Sequence, residues 1–263
     1  WHDGEEAEFV GDGVAELAVD GSALHNPVPL LRGVRATSQY RARLREKLYV
    51  FNAGHAVTAY LGWLRGHATV AEAIGDPFVR PIVVGGLLEA RRALLSAYPT
   101  LARGTVDERT DVHAPVVTAL RRYADAELAD PVTRVARDPL RKLRAGDRLL
   151  GPVQLIRQVG GAVPAHFTLG IAAGLLYGRG PREDAAGDTQ ARELRGMLST
   201  EGVMAVLGTV CGLDADDPVA EAVAERYRGF VFTADGVSFP PARPTGGDGA
   251  ATVQPVNLRA VAG

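Results

Sequence analysis

The sequence predicts a mainly α, multi-helical fold with a short strand segment near its start. Apolar residues recur at helical spacing from about Ser38 to Tyr227. Helix start signals punctuate that region, among them Thr69-Val-Ala-Glu72, Asp76-Pro77 and Asp217-Pro218. By contrast, Val14 to Asp20 is short and β-compatible. With 263 residues, 46% hydrophobic and 23% charged, the chain is long enough for one large domain or two small ones. Its core needs no help from metals or disulfides.

Taken in order, residues 1–36 read as the end of a preceding domain and a linker. They comprise an acidic, glycine-containing start, the strand segment, and a loop from Gly21 to Arg35 with Pro27 and Pro29. Residues 37–230 form the helical domain. Its central helix runs from Arg41 to about Trp63 and ends near Gly66. A short helix follows the Thr69 capping box. The helix after Asp76-Pro77 runs to about Tyr98, interrupted or bent at Gly85-Gly86, with Glu89, Arg91 and Arg92 on a solvated face. Thr100 to Thr110 reads as a loop, and Asp111 caps a helix that carries Leu120 and Tyr123 inward. Asp130-Pro131 starts a short helix. Further helices span Gly146 to Arg157, Pro164 to Tyr177, Thr189 to Leu198, Thr200 to Val210 and Asp217 to Tyr227. Residues 231–263, rich in proline and glycine, read as a flexible tail.

Chemistry concentrates in the central stretch, Arg45 to Leu64, where Lys47, Asn52 and His55 are spaced K-x4-N-x2-H among Leu48, Val50, Phe51, Val57 and Tyr60. On a regular helix, Asn52 lies roughly 140° round from Lys47 and His55 roughly 80°, so the three share one side. A lysine on an apolar helix is expensive to bury unless paired, or unless its pKa falls. Lowered, it can act as a general base near neutral pH. Asn52 can donate to a developing oxyanion, and His55 can bind a hydroxyl or orient the lysine. On spacing alone a bland arrangement is the commoner outcome: Lys47 snorkelling to solvent, Asn52 bonding locally, His55 satisfied in the core.

Lys47-Leu-Tyr-Val-Phe-Asn52-Ala-Gly-His55 resembles the signature of the polyol-specific long-chain dehydrogenases, the mannitol dehydrogenase family. Three more blocks follow in that family's order: Arg134 to Leu143 with Ala145 to Leu149, then Leu169 to Ala173, then Gly212 to Asp214. The resemblance covers residues 14–229. It implies a helical substrate domain with the fold of the 6-phosphogluconate dehydrogenase C-terminal domain. It also implies metal-independent hydride transfer with NAD, held mainly by an upstream Rossmann domain. This sequence lacks that domain's fingerprint: Gly11-Asp-Gly13 and Gly178-Arg-Gly180 both fail to match G-x-G-x-x-G between a strand and a helix. Trp1 in place of Met agrees with the chain being the carboxyl-terminal half of a longer protein.

Within the family the chain is most similar to the branch that interconverts mannitol 1-phosphate and fructose 6-phosphate. The resemblance casts Lys47 as general base, Asn52 as stabiliser of the alkoxide or ketone oxygen, and His55 as the ligand of a neighbouring hydroxyl. It makes Arg134 and Lys142 substrate contacts. Arg137, Arg141 and Arg148 crowd the same block, with Asp138 and Asp147 between them. A fork-shaped arginine and a point-charge lysine both suit a sugar phosphate. A solvent-facing row of ordinary arginines is the competing reading. Alternatives in function are a dehydrogenase of unphosphorylated mannitol, a hexuronate reductase, or a catalytically silent helical domain used for dimerisation or binding.

Several classes find little support. Net charge is −2, and no aromatic residues interleave the basic block, which argues against nucleic acid. No apolar run reaches the ~20 residues of a membrane span. No histidine or cysteine pattern has metal-ligand spacing. Cys211 is the one cysteine, expected to pack as a small hydrophobe in a protein of the reducing cytoplasm.

Overall fold

The computed structural model describes residues 17–24, 33–102, 113–179, 187–233 and 236–238. Two strands, β1 (Leu17–Asp20) and β2 (Val34–Thr37), pair in parallel at the start. The predicted linker thus returns as a strand at its end, while most of it, Asp111 with its loop, and the residues after Ser238 lie outside the described residues.

The predicted central helix is three segments in one run: α1 (Tyr40–Glu46), a π-helical segment (Lys47–Asn52) and α2 (Ala53–Leu64). Within α2, eleven of the twelve residues are buried, because α3 (Val70–Gly75), α4 (Val79–Ala97), α6 (Val132–Ala136) and α9 (Ala165–Leu175) surround it. Small residues permit that crowding. A Cβ on Gly62 would sit 2.4 Å from the Ala73 Cβ, and one on Gly170 would sit 2.7 Å from Val57 Cγ2. Tyr60, Trp63 and Tyr177 form the aromatic centre, with edge-on ring pairs at 5.6 and 5.1 Å.

The Thr69 capping box forms as read from the sequence: Thr69 Oγ1 accepts from Glu72 N, and the Glu72 carboxylate accepts from Ala68 N and Thr69 N. Asp76 accepts from Phe78 N and Val79 N at the start of α4. That helix runs unbroken across Gly85 and Gly86. The glycines serve packing instead: a Cβ on Gly85 would meet the His166 ring at 2.3 Å. Nor are Glu89 and Arg91 a solvated face. Arg91 is 2% exposed and paired with Glu46, and Glu89 Oε1 lies 2.7 Å from His166 Nδ1 at the start of α9.

Of the remaining helices, α10 (Thr189–Thr200), α11 (Gly202–Cys211) and α12 (Pro218–Gly229) follow the sequence reading within about two residues, α5 (Ala114–Tyr123) lies inside its expected span, α8 (Leu150–Gln158) starts four residues later than expected, and α7 (Pro139–Leu143) is a short helix the sequence reading did not mark. Burial pushes the Cys211 thiol up to about 12, as suits a packing residue. The start of the expected tail pairs as a hairpin, β3 (Val231–Thr233) with β4 (Gly236–Ser238), and Val237 is buried. No helix among the described residues is long and apolar enough to cross a membrane.

Candidate functional site

Lys47 and Asn52 are the first and last residues of the π segment. Ala53 N bonds Leu48 O, five residues back, as a π turn requires. Asn52, five residues after Lys47, therefore stands about one turn above it, closer to its face than a regular helix would allow. π turns are rare and cluster at functional sites. Lys47 is exposed, so the described residues do not supply the desolvation expected from an apolar helix. Asn52 and His55 are half-buried.

His55 is the best-anchored of the three. Its Nε2 lies 3.1 Å from Asp130 Oδ2. Its ring stacks on Tyr123, 5.2 Å between centroids and 6° from parallel. Tyr123 is buried and donates its hydroxyl to Phe51 O, where the helix changes from π to α bonding. Burial pushes that phenol well above its usual range, so it remains a donor. Gly54, beside His55 in the motif, makes room: a Cβ there would lie 2.9 Å from the Tyr123 hydroxyl and 2.6 Å from Leu87 Cδ2.

Asp130 joins this helix to the basic block. Its Oδ1 accepts from Arg134 Nε at 2.7 Å and from Arg134 Nη2. Burial alone would raise the Asp130 carboxyl, but hydrogen bonds from His55 and Arg134 outweigh it and hold the group below its ordinary value. Backbone pairing fixes the aspartate in place. Val70 N bonds Asp130 O and Val132 N bonds Ala68 O, an antiparallel bridge beside the Thr69 cap. The sequence marked Asp130-Pro131 only as a helix start. Its carboxylate faces His55 through that bridge, a tertiary contact with no local pattern.

The cations of the block divide. Arg134 is 57% exposed at its side chain, and Arg137 is exposed with its Nε on Arg134 O. Arg141 lies near Asp138 and Asp147, and Arg148 Nε is 2.9 Å from Asp147 Oδ1. Lys142, expected to present a point charge to the phosphate, is turned inward at 3% exposure. Its Nζ donates to Val135 O at 2.5 Å and to Arg137 O. The physical reason is the corner between α6 and α7. Asp138 takes a left-handed backbone (φ 57°), and the carbonyls before it need donors. Burial, with Arg148 and Arg141 nearby, lowers the Lys142 ammonium to about 7.

A groove of about 850 Å³ lies elsewhere, between α4 and the α8–α9 connection. Arg80, Leu88, Arg92, Val163 and His166 are among its lining residues, and none of the predicted site residues lines it. A smaller cleft opens beside His55, Arg122, Tyr123, Asp125 and Asp130. Among the described residues, no group of three histidine, cysteine or acidic side chains is placed to hold a metal ion.

Residues 39–231 match the mannitol dehydrogenase C-terminal domain. Mannitol-1-phosphate 5-dehydrogenase of Bacillus subtilis (strain 168) is 34% identical over 211 residues, which are 80% of this chain and 52% of that protein. Its counterpart in Bacillus pumilus (strain SAFR-032) is 34% identical over 208 residues, 79% of this chain and 51% of that protein. The chain thus spans about half the length of the curated relatives it matches. In fold it resembles Pseudomonas fluorescens mannitol 2-dehydrogenase, solved as a ternary complex with NAD and D-mannitol. The TM-score is 0.57 and the identity 22%, covering 75% of this chain and 40% of that one. A D-sorbitol dehydrogenase in substrate-free form aligns likewise, at TM-score 0.57 and 19% identity, covering 74% of this chain and 40% of that one. With its ordered helices and a family match over most of its length, the chain belongs to the mannitol dehydrogenase family, whose C-terminal domain it carries.

Proposed function

We propose that this domain forms the substrate-binding and proton-transfer half of an enzyme interconverting mannitol 1-phosphate and fructose 6-phosphate. The observation that carries the reading is the contact between motif and basic block: one carboxylate, Asp130, holds both His55 and Arg134. The named activity of the curated relatives supports the choice of substrate.

During oxidation of the polyol, Lys47 takes the hydroxyl proton as the carbon becomes a ketone. The Asn52 amide donates to that oxygen as negative charge grows on it. His55 binds a neighbouring hydroxyl. Arg134, exposed at the block's open edge, meets the phosphate with Arg137 beside it, while Lys142 and Arg141 hold the corner that carries them. NAD, when bound, supplies the hydride acceptor. That this chain spans about half the length of its curated relatives supports a Rossmann domain in the native-length protein that holds the rest of the cofactor.

Arg134→Ala in the native-length enzyme tests the assignment. Loss of a charge-assisted contact, worth about 1.5–3 kcal/mol, should raise KM for fructose 6-phosphate by about 10- to 100-fold and leave KM for fructose little changed. An equal rise for both sugars would remove Arg134 from the phosphate.

A further inference from the structure

Asp130 has no place in the motif and touches no reacting atom in the scheme above, yet the site converges on it. Its two oxygens are divided: Oδ2 faces His55 Nε2 at 3.1 Å and Oδ1 takes the Arg134 guanidinium. The backbone bridge to Ala68 and Val70 leaves it little freedom to turn away. His55 is also clamped from its face by the Tyr123 ring. An ionised carboxylate is acceptor only, so the imidazole nitrogen it meets must carry the proton. The hydrogen bonds from His55 and Arg134 hold the Asp130 carboxyl below its ordinary value, which makes it a carboxylate at neutral pH.

We infer that Asp130 is a positioning residue that fixes the Nε2–H tautomer of the His55 ring in its neutral form and holds Arg134 alongside it. In that tautomer His55 meets its ligand through an unprotonated Nδ1. It accepts a hydrogen bond from a substrate hydroxyl and does not donate one to the carbonyl oxygen. That leaves donation to the carbonyl oxygen to Asn52 and to the protonated form of Lys47. The same carboxylate ties the orientation of the hydroxyl-binding ring to that of the phosphate-binding guanidinium, so a substrate that engages both finds them already in register. The kinetic part of this inference rests on the proposed function; the tautomer does not.

The test is nitrogen NMR on the native-length protein labelled with ¹⁵N-histidine, recorded where the ring is neutral, with the His55→Ala variant to assign the signal. Wild type should show Nε2–H with a slowly exchanging proton. Asp130→Ala should give the mixed tautomers and fast exchange of free imidazole, Asp130→Glu should recover part of the wild-type signal, and Arg134→Ala should leave the tautomer unchanged. A wild-type ring protonated at Nδ1 would overturn the inference without any variant. So would an unaltered His55 spectrum in folded Asp130→Ala. In turnover, Asp130→Ala should both lower kcat and raise KM for the sugar phosphate, each by about tenfold or more. A protein that turns over no sugar phosphate would sink the proposed function, while the spectra would still judge the tautomer.

Discussion

Lys47 and Lys142 occupy the same apolar scaffold in opposite ways. Lys47 is exposed on its helix, whereas Lys142 is buried and spends its donors on the Val135 and Arg137 carbonyls. Replacing Lys47 by Ala should therefore cost activity and not stability. The expected fall in kcat is about 10²- to 10⁴-fold, the range for a lost general base, with the melting temperature hardly moved. Retained turnover would remove Lys47 from proton transfer. Asp76 makes the converse case. Burial would raise its carboxyl, but Arg65, His67 and the Phe78 N–H outweigh that and lower it to about 2. Because the folded pKa lies below the ordinary 3.8, the group stabilises the fold above about pH 4 and loses that contribution as pH falls through about 2. Asp76→Ala should cost about 2–3 kcal/mol at pH 7, and the gap to wild type should close in acid. Thermal unfolding followed between pH 7 and pH 2 would reveal a constant gap if the pairing contributes nothing.

Helices of this domain were legible where the signal is local. Thr69 with Glu72, Asp76 with its following proline, and Asp217 with Pro218 all mark helix starts that the structure contains. The π segment was not legible, because Lys47 to Asn52 has the residue types of any buried α-helix and no rule of spacing distinguishes the two. Arg91 was misread for a related reason. Its burial depends on Glu46, 45 residues away, at the turn just before Lys47. Helix contacts made through glycine are the most exacting part of the packing. At Gly62, a new Cβ would meet the Ala73 Cβ at 2.4 Å, and neither is a flexible side-chain tip. Gly62→Ala should destabilise the domain by about 1–3 kcal/mol in urea unfolding, despite the ~1 kcal/mol that alanine gains in a helix. Unchanged stability would mean that α2 and α3 can move apart freely.

Across the whole molecule, α6 and α9, which carry parts of the second and third sequence blocks, pack on α2 of the first, and the structure adds the link that the blocks alone lacked. Lys47, Asn52 and His55 share one helical run, and Asp130 joins that run to Arg134. Family and helical fold could be read from motif order. The roles within the basic block could not, because whether a cation turns outward, as Arg134 does, or inward, as Lys142 does, depends on a left-handed corner at Asp138. The chain covers about half of its curated relatives, so turnover has to be measured on the native-length protein. NADH oxidation with fructose 6-phosphate and with fructose, run side by side, tests the central claim most directly. A strong preference for the phosphate is expected, since Arg134 and Arg137 stand at the open edge of the block. Equal or better turnover of fructose would contradict the claim and leave those arginines as ordinary surface.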